Sequence, residues 1–123
     1  MDRERLKGNL DPLLPLSVLS AGPAHGYAII SALRDRSAGT FDLPEGAIYP
    51  ALHRLEDSGL LVSTWARAGG RRRRVYGLTD EGVAALAAGQ DDWRTFASGV
   101  QAVLGWSAVS GPRRVAAALG WSS

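Results

Sequence analysis

Cysteine is absent from the 123 residues, so disulfides, thiol nucleophiles and thiolate zinc sites are all excluded. Lysine is almost absent: Lys7 is the only one, and arginine carries nearly all of the positive charge. No apolar run approaches the roughly 18 residues that span a bilayer, and Met1-Asp2-Arg3-Glu4-Arg5 leads into no signal-peptide core. A cytoplasmic protein without a membrane role is the expectation. No glycine elbow surrounds a serine, no phosphate loop is present, and no spacing organises Ser, His and Asp into a catalytic set. His25 and Tyr27 lie near no second histidine and no carboxylate cluster in sequence. An enzyme, a metal site and a bound cofactor are therefore not expected.

What is present is an uneven charge. Residues 1–57 carry six basic and eight acidic side chains, and residues 79–123 carry three basic and four acidic. Residues 58–78 hold five arginines and no acid. A slightly acidic body with one concentrated positive feature suits an anionic partner met at one place, because clustered charge focuses field better than dispersed charge.

Periodicity places that feature. Residues 1–8 form a charged leader, frayed or helical only on contact with a partner. Asp11-Pro12 resembles an N-cap and first helical position. Leu13, Leu14, Leu16, Val18 and Leu19 then make a helix apolar around much of its circumference, ending at Ala21-Gly22-Pro23. A second helix is expected from about Ala24 to Arg36. A third runs from near Pro44 to Ser58-Gly59, with Ile48, Ala51, Leu52 and Leu55 on its apolar face. Outward it leaves Gly46, Ala47, Tyr49, His53, Arg54 and Asp57. The period then changes to two in residues 60–66 and 73–78, joined by Arg67-Ala68-Gly69-Gly70. A fourth helix follows Thr79, from Asp80 to about Leu104, although Gly82, Gly89 and Gly99 interrupt its pattern. Pro112 to Leu119 reads as one more short helix.

The fold class is thus mainly α with a small β-hairpin: a winged helix-turn-helix over residues 1–78, then a C-terminal helical dimerisation region over 79–123. In a winged helix the third helix enters the DNA major groove and the hairpin follows the phosphate backbone. Guanidinium groups on a hairpin bind phosphate bidentately or enter a narrow minor groove. Strand alternation sends Arg71 and Arg73 to one face and Arg72 and Arg74 to the other.

Three blocks, "GPAHGYAIISAL", "LPEGAIYPALHRLEDSGLL" and "GGRRRRVYGLTDEG", resemble the PadR family of bacterial transcriptional regulators, in order and at the expected spacing. The resemblance covers about residues 6 to 95. It implies a winged helix whose first and last helices make a dimer, which represses transcription and in many members is released from DNA by small phenolic or drug-like ligands. Pro44 departs from the Ser or Asn common as helix cap, and nothing beyond Leu104 matches.

The candidate DNA-binding residues are Gly46, Ala47, Tyr49, His53, Arg71, Arg72, Arg73 and Arg74. Gly46 and Ala47 allow close approach to a groove, and Ala47 can meet a thymine methyl. Tyr49 is a candidate phosphate donor or a half-buried packing residue, and His53 a DNA contact or a surface residue without a role. His25 and Tyr27 either pack against the third helix or bond a phosphate, packing being preferred. Glu45 suits a dipole or intrahelical partner better than a base reader. Leu13, Leu16, Trp93, Phe96 and Val100 are candidates for a dimer seam. A tryptophan at the position of Trp93 resembles the wall on which small multidrug-sensing members hold planar aromatic ligands. The other function class kept open is a winged helix for protein or RNA contact, without specific DNA readout.

Overall fold

The computed structural model of the chain describes residues 12–107 and 111–112. The chain divides into two compact units, Met1–Gly89 and Gln90–Ser123.

In the first unit, helix α1 covers residues 12–19. Pro12 costs it nothing in a first turn, where an N–H has no intrahelical partner. The buried Pro15 sits early enough to be tolerated as well. Strand β1 is Ala24–His25, and helix α2 is Gly26–Arg36. The expected start of this helix at Ala24 is corrected by two residues. Ala24 and His25 pair antiparallel with Tyr76 and Val75, and the helix begins only where the His25 side chain can cap it. Helix α3 is Glu45–Asp57. Gly59, at φ +81°, ends it, and the Leu60 N–H reaches back to the Leu55 carbonyl at 2.9 Å. Strand β2 is Leu61–Ala68 and strand β3 is Arg71–Leu78, in the sheet order β1-β3-β2.

Both strands of the hairpin extend two residues closer to the turn than the periodicity suggests. Pairing continues to Ala68↔Arg71, so only Gly69 and Gly70 turn, at φ +63° and +79°. Two consecutive positive φ values suit the turn type whose twist matches paired strands, and glycine reaches them without strain. The four arginines therefore belong to a strand, and their directions are set by its pleat.

Helix α4 is Asp80–Leu104. The Thr79 hydroxyl accepts from the Gly82 N–H at 3.0 Å and donates to the Gly59 carbonyl at 2.7 Å, which ties the start of α4 to the end of α3. The core of the first unit joins Leu16, Leu19, Ile29, Leu33, Ile48, Leu52, Leu55, Leu61, Tyr76 and Leu86. Ile29 and Leu52 are fully enclosed, and each such side chain contributes about 1.5–3 kcal/mol relative to exposure.

In the second unit, Trp93 and Phe96 stack at a tilt with centroids 5.5 Å apart, and Arg94 pairs with Asp91 at 2.9 Å. After Gly105, strands β4 (Trp106–Ser107) and β5 (Gly111–Pro112) pair antiparallel. Pro112 is therefore extended where a helix was expected. The remainder of that expected helix, the leader over residues 1–8, and Trp121 lie outside the described residues.

The glycines of α4 differ in what they permit. A Cβ on Gly82 would collide with the Leu60 carbonyl oxygen, while one on Gly99 would meet nothing within 4 Å. Gly82→Ala should therefore destabilise the protein by about 1–3 kcal/mol, because backbone must move to admit the methyl. Gly99→Ala should leave stability unchanged or raise it by up to about 1 kcal/mol. Thermal denaturation of both variants checks the contrast.

Candidate nucleic-acid interface

Helix α3 buries Ile48, Ala51, Leu52 and Leu55 and leaves Gly46, Ala47, His53, Arg54 and Asp57 exposed. Pro44 precedes it in an extended conformation and offers no side-chain cap. Its carbonyl accepts from the N–H groups of Ala47 and Ile48 at 3.0 and 3.1 Å. The first-turn amides are thus left without a side-chain acceptor. Pro50 has no N–H for the Gly46 carbonyl, and both residues are exposed, so water can serve that oxygen. Tyr49 is half-buried. Its ring lies against the backbone of Gly26, where any Cβ would overlap it. The glycine at the start of α2 is thereby required by the packing of α2 on α3.

The hairpin sorts its arginines as alternation demands. On one face, Arg74 donates from Nε to Ser63 Oγ at 2.8 Å and places a second nitrogen 3.9 Å from Glu56 of α3. Ser63 in turn donates to Glu56 at 2.6 Å. Farther out on that face, the guanidinium carbons of Arg72 and Arg74 lie over the Trp65 ring, 5.3 and 5.5 Å from its centroid. On the other face, Arg73 lies 6.0 Å from the centre of the Tyr27 ring, and its Nη1 is 3.4 Å from His25 Nδ1.

His25, Gly26, Tyr27, Tyr49 and Arg71 to Arg74 together line a cavity of about 260 Å³ between the hairpin and the helices. His25 caps α2: its Nδ1 accepts from the Ala28 N–H at 3.3 Å. That nitrogen faces an amide hydrogen and a guanidinium, so it serves as an acceptor and the ring proton belongs on Nε2. Burial first, and the Arg73 charge second, hold its pKa below the ordinary 6.5. Tyr27 is exposed, and its approach to the Glu45 carboxylate raises the phenol pKa, through hydrogen bonding first and then through charge. Burial, with Glu56 nearby, likewise raises the pKa of Tyr76.

Sequence reasoning missed Trp65, Ser63 and Glu56 as parts of this surface, and His25 as a helix cap. Trp65 shares a pleat face with Leu61 and Ser63 and stands directly opposite Arg74, so the strand register carries the signal once the turn is known. The candidates for the dimer seam divide. Leu16 is 2% exposed and packs inside the core of the first unit, so it has no face to offer a second chain. Leu13 is half-buried and touches Gly89. In the second unit, Phe96 and Val100 line a shallow apolar groove with Thr95, Gly99, Val103 and Leu104. Trp93 is partly exposed nearby on the same helix, and Val103 is 88% exposed. Among the described residues, no helix is long and apolar enough to cross a membrane.

Helices packed around one core, a hairpin edged by a third short strand, and a long helix following it in sequence define a winged-helix protein. The chain belongs to the transcriptional regulator PadR-like family, whose model matches residues 16–88. It is similar to the transcriptional regulator Rv3488 of Mycobacterium tuberculosis, with 48% identity over 49% of this chain and 53% of that protein. With the transcriptional regulator YqjI of Escherichia coli it shares 30% identity over 57% of this chain and 32% of YqjI. The chain thus spans about half the length of the first and a third of the second. Among solved structures, a PadR-like regulator from Bacillus cereus superposes with a TM-score of 0.71 at 27% identity, over 85% of this chain and 99% of that one. A PadR family regulator from Clostridium difficile does so at 0.65 and 34%, over 74% of this chain and 93% of that one.

The lowered pKa of His25 makes stability depend on pH. The folded state favours the neutral ring, so its stabilisation is complete above pH 6.5 and is lost as pH falls through the lower folded value. His25→Asn keeps an acceptor for the Ala28 amide without a titrating ring. Its unfolding midpoint should fall less than that of the parent between pH 7.5 and 5, as read by thermal scans.

Proposed function

We propose that this regulator binds a two-fold symmetric operator in double-stranded DNA as a homodimer. It acts as a repressor and is released by a small planar aromatic ligand. The observation that carries the DNA reading is electrostatic. Among the described residues, Arg71, Arg72 and Arg73 make no ion pair with a carboxylate, yet they stand on a paired strand beside the exposed face of α3. Arginines held on a rigid strand without counter-ions complement a phosphate backbone.

Gly46 supports the same reading. It has no left-handed φ, and a Cβ there would meet nothing within 4 Å, so the fold itself does not ask for glycine. A missing side chain at the start of α3 is explained by a close neighbour outside the chain. The cavity holding His25, Tyr49 and Arg73 has the donors for one backbone phosphate. The third helices of a dimer would enter major grooves about 34 Å apart, or a multiple of that distance. The apolar face of outer α4 fits the dimer seam, with Trp93 at its edge as the aromatic wall for a ligand.

Fluorescence anisotropy with a duplex from upstream of the protein's own gene, against a scrambled duplex at several salt concentrations, tests this. The log of affinity should fall with log salt by about 0.9 per phosphate contact, and replacing Arg72, Arg73 and Arg74 by Ala should flatten the slope for both duplexes. An unchanged slope would remove the wing from the interface. Gly46→Ala should weaken operator binding while raising stability by up to about 1 kcal/mol, two effects of opposite sign. Substituting Ala47 or His53 should alter which sequence is preferred. For the outer helix, planar aromatic compounds should quench tryptophan fluorescence and lower operator affinity, and Trp93→Ala should abolish that linkage. Val103→Glu should shift the protein to monomers in sedimentation velocity, since a charge in an apolar seam would be desolvated.

A further inference from the structure

We propose that Trp65 is the positioning residue of the wing, ordering the Arg72 guanidinium for contact with DNA phosphate. The inference deepens the DNA-binding reading and rests on it. Trp65 is 56% exposed on β2, so core packing does not explain an indole there. Its contacts with the arginines do. Glu56, on the far side of α3 from its N-terminus, accepts from Ser63, and Arg74 donates to that same Ser63. Arg74 lies over the Trp65 ring, and Arg72, two residues nearer the turn, lies over it too. A continuous ladder thus runs from the half-buried Glu56 near the end of α3 to the outer part of the hairpin. Its order is carboxylate, hydroxyl, guanidinium, indole and guanidinium.

The chemistry of the last rung differs from that of the first. Arg74 spends donors on Ser63 and lies within reach of a carboxylate, which partly cancels its charge. Arg72 has no carboxylate partner among the described residues. Stacking occupies the flat face of a guanidinium and leaves the N–H groups at its edge unspent. A glutamate at position 65 would hold Arg72 equally well but would take those donors and neutralise the charge. An indole restrains the long side chain and keeps both donors and charge available for phosphate. The opposite face shows a related device, with Arg73 held by the Tyr27 ring and the neutral His25 nitrogen, again without a counter-ion.

The test is a double-mutant cycle on the full chain, read by affinity for a mixed-sequence duplex at low salt. The wing contribution is independent of sequence there. Trp65 is exposed, so Trp65→Ala should melt close to the parent, and its melting temperature is measured alongside. The expected result is about tenfold weaker binding by Trp65→Ala, near-complete rescue by Trp65→Phe, and no more than about twofold further loss when Arg72→Ala is added. The fluorine resonance of Trp65 in 5-fluorotryptophan-labelled protein, assigned from its loss in Trp65→Phe, should move in Arg72→Ala without DNA. Full multiplication of the two losses, or a Trp65→Ala variant that binds as the parent does, would overturn the proposal and leave the DNA reading standing. Absence of any salt-dependent duplex binding by the parent protein would overturn both.

Discussion

Two glycines at positive φ, Gly69 and Gly70, close the hairpin with the smallest loop that strand twist allows. Because side chains alternate at a period of two, this turn decides the surroundings of every arginine that follows it. Register places Arg74 opposite Trp65 and Arg72 opposite Arg67, and it leaves Arg73 on the face that meets His25 and Tyr27. A slip of one residue would put Tyr76, now in the core, on the outer face and exchange the surroundings of the two pairs of arginines. The buried Tyr76 and Leu61 at the base of the sheet thus hold the register at one end, and the glycine turn holds it at the other.

The charges on this frame are handled in two ways. Those nearest the core are partly offset locally: Glu56 accepts from Ser63 and lies 3.9 Å from Arg74. Those nearer the turn are restrained by groups that do not cancel them: aromatic rings and a neutral imidazole nitrogen. This division costs the folded protein little, because exposed guanidinium groups remain hydrated. It also leaves the positive potential concentrated beside α3. The tight approach of Tyr49 to Gly26 fixes α2 against α3, so the outward residues of α3 and the cavity beside the wing share one rigid support.

The outer part of α4 follows a different logic. Its apolar side chains line a groove on their own helix, and Val103 is almost wholly exposed. Apolar area of that kind is usually retained for a partner surface. The proposed pairing would suit a small unit, which buries a smaller share of its surface than a large one.

Much of the fold could be read in the residues. Apolar spacing marked α1, α3 and α4, and the switch to a period of two marked the hairpin, because local periodicity reports which face must leave water. The outward set on α3 could be named for the same reason, except Tyr49, whose ring lies half-buried against Gly26, and so could the alternation of the arginines. Tertiary structure alone decided the rest. Ala24 and His25 became a strand because β3 offered an unpaired edge far downstream, at Val75 and Tyr76, which no local pattern records. His25 became a cap with a lowered pKa through its position against Ala28 and Arg73. Leu16 was a seam candidate through the family resemblance, yet it lies buried among the core residues of the first unit. Trp65, unmarked in the sequence, became the partner of two arginines because pairing across the hairpin brought distant residues within reach. Sequence determines what each segment must bury, and only the packed chain determines which charges and rings are left to face one another.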